Sequence, residues 1–184
     1  MSNQLKSEFK ITDKITSRVL TTADAPELFA LVDSNRDFLG EWLPWLDYNT
    51  EVKHSEDFIK VTLESFNESK SLIHGIFYED EMVGNGGFHT LTWSQNKTSI
   101  GYWLAEGHNG KGIITSYCKT IIDYAFSELD MNRIEILACI DNQPSCAVAE
   151  RLGFKLEGIK RQNQKLHGKF FDHNQYSILK SEWN

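Results

Sequence analysis

The stretch from Glu106 to Thr115 has the residue types of an anion-binding loop. It contains glycines at positions 107, 110 and 112, and glycine lets the backbone approach a ligand closely and adopt positive φ. The stretch lies between a predicted strand and a predicted helix, where the unpaired N–H groups and the dipole of a helix start attract anions. Lys111 and the Thr115 hydroxyl add further donors. A Gly-x-Gly pattern alone also suits a structural turn, and the spacing matches neither a Walker A loop nor a dinucleotide fingerprint.

A second polar group stands further along the chain, where Asn142 and Ser145 lie at the start of a short predicted helix. The Ser145 hydroxyl is able to donate a proton to a leaving group, but a serine at this place also often caps a helix. Asn142 is either a ligand-binding amide or a turn residue. The same block ends in Leu152-Gly153-Phe154 and Glu157-Gly158.

The elements that position these groups follow from the hydrophobic periodicity of the chain. The pattern predicts a strand, three helical segments, three antiparallel strands, a helix, a strand, a helix and two final strands. These elements are expected at 15–20, 22–32, 38–46, 54–68, 72–78, 82–90, 98–104, 112–129, 133–140, 144–152, 154–160 and 170–179. A strand that follows a crossover helix is parallel to its neighbour. The predicted class is therefore α/β (α+β), a mixed sheet in a single domain over residues 1–184.

Composition excludes several classes of function. The net charge of −7 disfavours nucleic acid, since phosphate backbones are bound by clustered Lys and Arg. The acidic balance favours cationic partners, or simply aids solubility. No apolar run is long enough to span a bilayer, and residues 1–10 do not resemble a signal peptide. The three cysteines have no metal-ligand spacing and suit reduced, buried thiols, so a cytoplasmic protein without metal is predicted.

Taken together, these motifs resemble the GNAT superfamily of acyl-CoA N-acyltransferases, and the order of elements agrees over nearly the whole chain. Within it the chain is most similar to the RimJ/RimL branch, the N-terminal acetyltransferases of ribosomal proteins. The segments that carry this resemblance are 39–45 (LGEWLPW), 100–104 (IGYWL), 110–113 (GKGI) and 142–158. Many members have Gln or Arg three residues before the first loop glycine, where this chain has Gly107. Backbone amides are then expected to carry most of the binding, with His108 and Asn109 as the candidates to compensate.

The resemblance implies a GNAT fold, whose central sheet is mostly antiparallel and flanked by helices, and acetyl-CoA as the co-substrate. The two parallel strands at 98–104 and 133–140 would splay apart, and pantetheine would pair with the free strand edge. A backbone N–H near Leu104 would stabilise the oxyanion. The residues implied in cofactor binding are Tyr102, Trp103, Leu104, His108, Asn109, Gly110, Lys111, Gly112, Ile113, Ile114, Thr115 and Asn142.

Roles in catalysis follow from the same resemblance. Ser145 matches the position of a hydroxyl beside the coenzyme A sulfur, and is expected to act as general acid. The identity of the general base is undecided, because residues 162–164, which follow the Glu-Gly pair, carry only amide side chains. Gln164 would orient the substrate or a water. His89 is the best titratable candidate for the base. Glu41 is an alternative base, or a binding group for the cationic amine.

The acceptor channel is expected to involve two tryptophans close together in the sequence, Trp42 and Trp45. Packing of the short helices on the sheet explains them equally well. The expected acceptor is the N-terminal α-amine of a protein, and relatives of this branch are often homodimers. Two alternatives stay open at this point: an N-acetyltransferase for small amines such as polyamines or antibiotics, and a non-catalytic acyl-CoA-binding module.

Overall fold

Eight strands form one sheet in the computed structural model, which describes residues 5–183. The strands are β1 (Glu8–Lys10), β2 (Ile15–Val19), β3 (Leu72–Tyr78), β4 (Glu81–Thr92), β5 (Lys97–Leu104), β6 (Arg133–Cys139), β7 (Lys155–Leu166) and β8 (Lys169–Leu179). Their order across the sheet is β1-β2-β3-β4-β5-β6-β8-β7. Only β5 and β6 pair in parallel, and every other neighbouring pair is antiparallel. The predicted mixed sheet with a parallel pair in its middle is confirmed.

Five helices flank the sheet: α1 (Ala25–Ser34), α2 (Arg36–Gly40), α3 (Val52–Asn67), α4 (Ile113–Ser127) and α5 (Gln143–Arg151). A 3₁₀ segment, Pro44–Tyr48, joins α2 to α3. The helix α4 buries the side chains that its periodicity predicts, among them Tyr117 and Ile121. The helix α3 buries Ile59, whereas the adjacent Phe58 is 41% exposed.

Two strand predictions were wrong. The three-residue strand β1 was missed, because three residues cannot establish an alternating pattern. The strand β7 extends to Leu166, well beyond the predicted end at 160, through polar and mostly exposed residues. Its pairing comes from the hairpin with β8, whose two-residue turn has positive φ at both His167 and Gly168, as a type I′ turn requires.

The sheet has two differently covered faces. Because side chains alternate along a strand, residues such as Phe88, Ile100 and Ile136 join α4 and α5 in the larger hydrophobic cluster. We call this the α4 face. A second cluster joins Phe77 and Met82 to residues of α1, α2 and α3, and we call this the α3 face. The three cysteines are buried and unpaired. Within residues 5–183, no helix combines the length and the apolar character needed to cross a bilayer.

Candidate functional site

The parallel strands β5 and β6 pair only at their beginnings. Their register joins Lys97–Ile100 to Arg133–Ile136 and ends there, although β5 continues to Leu104 and β6 to Cys139. The remaining halves of the two strands therefore separate and leave a gap in the middle of the sheet. The predicted splay is confirmed.

The edge of β5 that borders the gap is free to bind a ligand. Ala105 N–H donates to the Val83 carbonyl of β4 at 2.8 Å. Alternate residues of a strand direct their backbone groups to opposite neighbours, so the backbone groups of Ala105 and Trp103 point toward β4. Those of Tyr102 and Leu104 consequently point into the gap, as expected for a strand edge that can pair with a ligand.

The glycine-rich loop 106–115 begins just after this free edge and leads into α4. Gly110 and Gly112 have φ of 76° and 73°, the left-handed region that favours glycine. The first backbone bond at the helix start runs from Ser116 N–H to the Gly112 carbonyl, and no side chain of the described residues caps the helix. The N–H groups of Ile113, Ile114 and Thr115 therefore remain available for an anion.

Cationic side chains surround the loop. The Lys111 ammonium lies 3.4 Å from His108 Nδ1 and 5.2 Å from the centre of the Tyr78 ring. Arg151, at the end of α5, donates to the Thr115 hydroxyl at 2.8 Å. The sequence analysis missed Arg151, since only the packing of α5 beside α4 brings this guanidinium to the loop. Gly153, two residues later, indicates that Arg151 lies at the end of a helix. The sequence does not indicate that Arg151 contacts Thr115.

A cavity of about 870 Å³ passes through the gap and opens on the α3 face. Eight of the predicted site residues line it: Trp42, Trp45, His89, Tyr102, Trp103, Asn142, Ser145 and Gln164. The loop 108–115 and Leu104 are not part of the lining, and neither is the exposed Glu41. The structure thus brings the predicted catalytic and acceptor groups together, whereas the roles assigned to Glu41 stay predictions without support from the geometry.

On the α4 side of the gap, a tyrosine and a serine meet. Tyr102 Oη donates to the Ser145 carbonyl at 3.1 Å, and Ser145 Oγ lies 3.4 Å from Tyr102 Oη. Burial raises the pKa of the Tyr102 phenol, so it stays protonated. The helix cap is Asn142, whose side chain accepts from Ser145 N–H at 3.1 Å. The Asn142 side chain therefore caps the helix, and the Ser145 hydroxyl, which contacts Tyr102 Oη, is not needed for capping.

On the α3 side, His89 lies over β5 at the point where the gap begins. A Cβ on Gly101 would stand 1.8 Å from His89 Nε2, so the imidazole occupies the space that this glycine leaves open. His89 is exposed to solvent as a residue, but its imidazole packs against the backbone of β5 at Gly101. This partial desolvation lowers the pKa of His89 and favours the neutral imidazole at pH 7.

Tryptophans and the β7–β8 hairpin form the outer wall of the cavity. The Trp45 and Trp103 rings are 6.3 Å apart, so the Trp103 side chain belongs to the α3 face rather than to the cofactor edge. Gln164 donates to the Trp42 carbonyl at 3.0 Å, and His167 Nε2 lies 2.9 Å from the Gly40 carbonyl. These bonds dock the long hairpin on the segment between α2 and α3 and close that side of the cavity.

Asn85 and His173 are buried polar residues of the cavity that the sequence analysis missed. Each lies in a strand among ordinary neighbours. No motif marks either of them, so only their place in the sheet reveals them.

The family of the chain follows from comparison with known proteins. Residues 14–155 match the acetyltransferase (GNAT) domain. The chain belongs to the GNAT acetyltransferase family. This GNAT protein is therefore an acetyltransferase, as the sequence motifs predicted.

Its relatives include enzymes of the expected branch. It is 36% identical over 175 residues to the Bacillus subtilis protein named "Putative ribosomal N-acetyltransferase YdaF", covering 95% of this chain and 96% of that one. The solved structure of RimL, the ribosomal L7/L12 alpha-N-protein acetyltransferase, in complex with coenzyme A is 27% identical, with a TM-score of 0.91 and coverage of 94% and 97%. The microcin C7 self-immunity acetyltransferase MccE, solved with acetyl-CoA and AMP, is 30% identical, with a TM-score of 0.90 and coverage of 96% and 98%. The resemblance to the RimJ/RimL branch is confirmed.

Proposed function

We propose that this GNAT protein transfers the acetyl group of acetyl-CoA to the N-terminal α-amine of a protein, with ribosomal proteins as the first acceptors to test. One observation carries the proposal. An uncapped helix start with left-handed glycines follows directly after the free edge of β5, and Tyr102 on this edge lines the same cavity as His89. A bound coenzyme A needs an anion site followed by a strand-like partner for its pantetheine arm, and these neighbouring elements offer both.

The residues present suit acetyl-CoA. The N–H groups of 113–115, supported by Lys111 and Arg151, would hold the pyrophosphate. The backbone groups of Tyr102 and Leu104 that point into the gap would pair with the pantetheine amides. When bound, acetyl-CoA supplies an activated acetyl thioester for attack by an amine.

His89 is the proposed general base. Its imidazole is neutral at pH 7 because desolvation lowers its pKa, and it lies at the start of the gap on the side from which an acceptor approaches. It would take one proton from the attacking nitrogen. An α-amine has an ordinary pKa near 8, so about a tenth of the acceptor is already uncharged at pH 7, and the base then has to take only the proton that the nitrogen loses on attack.

Ser145 is the proposed general acid, on the opposite side of the gap. Its hydroxyl would donate a proton to the leaving sulfur, and its neighbour Tyr102 Oη would hold the hydroxyl in place. The backbone N–H of Leu104, which points into the gap, would donate to the carbonyl oxygen as negative charge develops there. Base and acid would then act from different faces of the sheet, one on the attacking nitrogen and the other on the leaving sulfur.

The surroundings of the cavity mouth support a cationic polypeptide as the acceptor. The segment 36–68 frames this mouth and holds eight acidic side chains against three basic ones, a net charge of −5 out of −7 for the chain. Tyr48 and Val61, at 79% and 62% exposed, add apolar surface beside Trp45. A protein acceptor made on the ribosome would place the reaction in the cytoplasm.

The test is acetylation of peptides that carry ribosomal-protein N-termini. We expect thiol release from acetyl-CoA and a mass gain of one acetyl group on the α-amine, both reduced at least about a hundredfold in kcat by Ser145→Ala. Thiol release no faster than hydrolysis over a broad peptide panel contradicts the proposal. Turnover of polyamines or antibiotics in place of peptides assigns the enzyme to small amines instead.

A further inference from the structure

Two buried side chains of the cavity each keep a nitrogen without a hydrogen-bond partner among residues 5–183. They are Asn85, through Nδ2, and His173, through Nδ1, and each residue is only 6% exposed. The same part of the chain has a third such atom, Nε2 of His74, but His74 lies on the α4 face and does not line the cavity. Buried polar groups are nearly always paired in folded proteins, so two such groups in one cavity call for an explanation.

Their positions in the sheet relate both residues to the gap. Asn85 of β4 pairs with Trp103 of β5, and His173 of β8 pairs with Cys139 of β6. The register of β5 and β6, continued beyond its last pair, sets Trp103 opposite Cys139. Asn85 and His173 therefore lie in one row on the α3 face, on either side of the gap where the acetyl group is to be transferred.

The first residues of an acceptor can reach both side chains. Neighbouring strands lie about 4.8 Å apart, so the three steps from β4 to β8 cover about 14 Å and each side chain lies about 7 Å from the middle of the gap. An extended chain advances about 3.3 Å per residue. The first two residues of an acceptor whose amine lies in the gap therefore come within this distance of Asn85 and His173.

The chemistry of the two side chains matches a peptide main chain. A carboxamide both donates and accepts, and a neutral imidazole does the same through its two nitrogens. Desolvation lowers the pKa of His173, which keeps its ring neutral at pH 7. A peptide group offers a carbonyl oxygen to a donor and an N–H to an acceptor. A simple alkyl amine carries no carbonyl, and would leave the amide nitrogen of Asn85 unpaired.

We propose that Asn85 and His173 bind the first peptide groups of the acceptor, and that this pair makes the site prefer the α-amine of a polypeptide over a simple alkyl amine. The inference rests on the proposed function, and it names the residues that select the acceptor class. Neither residue is needed for the proton transfers assigned to His89 and Ser145.

The experiment compares kcat/KM for an alanine pentapeptide amide and for isopropylamine, which keeps the amine and the methyl group but lacks the carbonyl. The ratio of the two values is independent of the fraction of folded enzyme. We expect Asn85→Leu and His173→Leu each to lower the ratio about tenfold, the effect of losing one hydrogen bond to a buried group. His173→Asn, which returns a polar atom near the position of Nδ1, should restore part of the ratio. The control His74→Leu removes the buried imidazole of the α4 face, whose Nε2 is also without a partner, and should leave the ratio unchanged.

The outcomes separate the two proposals. If the wild-type enzyme acetylates the pentapeptide and both leucine variants keep its ratio, the inference is overturned while the proposed function stands. If the wild-type enzyme acetylates isopropylamine and not the pentapeptide, the proposed function fails, and the inference with it. A ratio that falls equally in His74→Leu also overturns the inference, since the change would then reflect general loosening of the fold.

Discussion

The polar groups that border the gap between β5 and β6 are paired differently on the two faces of the sheet. On the α4 face, α4 and α5 pack over the larger hydrophobic cluster, and the polar groups that reach the gap are hydrogen-bonded to one another, as Tyr102 is to Ser145. On the α3 face, the smaller cluster leaves a cavity whose wall includes the neutral His89 and the incompletely paired Asn85 and His173.

This difference teaches how one fold can keep its cofactor and change its acceptor. The proposed anion site uses backbone N–H groups, which depend on helix and glycine geometry rather than on particular side chains. The proposed acceptor side consists of individual side chains that line the cavity. Variation in those side chains would then alter the acceptor without disturbing the helix start that would hold the cofactor.

The largest expected effect belongs to the α3 face. His89→Ala should lower kcat by two to three orders of magnitude, about the contribution of a general base, and leave the KM for acetyl-CoA unchanged. Steady-state kinetics with each substrate varied in turn checks this. Gly101→Ala tests the same geometry while His89 itself is kept, because the new Cβ would stand 1.8 Å from Nε2 and displace the ring. Full activity in Gly101→Ala would show that this position of His89 is not needed.

The second effect is a pH dependence of stability that comes from a buried histidine on the α4 face. Complete burial lowers the pKa of His74 to about 4, against about 6.5 in an unfolded chain. Between pH 6.5 and pH 4, His74 is protonated in the unfolded state but remains neutral in the folded state. The free energy of unfolding should therefore decrease as the pH is lowered through this range, by about 3 kcal/mol in all. Urea unfolding between pH 7 and pH 4 measures it, and His74→Leu should flatten the curve. An equally steep curve in the variant would assign the loss to other groups.

The third effect belongs to the proposed cofactor loop. Gly112 has a φ of 73° at the start of α4, and a β-branched side chain is strained there. Gly112→Val should raise the Kd for coenzyme A about tenfold and leave the KM for the acceptor unchanged, as calorimetry and kinetics can show. Gly107→Ala is the matched control, because Gly107 is not among the positive-φ residues and a Cβ there meets open space. Equal effects of the two substitutions would contradict the role of the left-handed turn.

The smallest effect concerns charge at the cavity mouth. Asp57 lines the cavity, and Asp57→Asn should raise the KM for a lysine-containing peptide about two- to threefold at low salt, since exposed charges interact weakly and are screened. Glu56→Gln is the control, because it removes the same charge one residue away. Glu56 and Asp57 each pair with a lysine four residues distant, but Glu56 does not line the cavity. A KM that moves equally in both variants would show that only the overall charge matters.

Much of the fold could be predicted from the sequence because the signals are local. The period of apolar residues in α4, the hairpin of β3 and β4, and the crossover between β5 and β6 depend on neighbours in the chain. The strand β7 shows the limit of this. Its polar second half has no alternating pattern, and it extends to Leu166 only because β8 pairs with it.

The residues of the candidate site likewise fall into those that local sequence patterns reveal and those that only tertiary contacts reveal. The loop 106–115 and the start of α5 could be found from spacing, since glycine and capping preferences are properties of short segments. Arg151, Asn85 and His173 could not. Each acts through a neighbour distant in the sequence, and nothing in the surrounding residues distinguishes a cavity wall from an ordinary strand or helix end.

The sequence by itself determined the family, the order of elements and the loop proposed to bind coenzyme A, because these depend on local backbone preferences. Only the tertiary structure decided that the Trp103 side chain faces the acceptor side, that Asn142 caps α5, and that His89 lies over Gly101 at the gap. The physical reason is that these facts depend on which strands become neighbours and which faces their alternating side chains share. Strand order brings together residues that the chain itself keeps far apart.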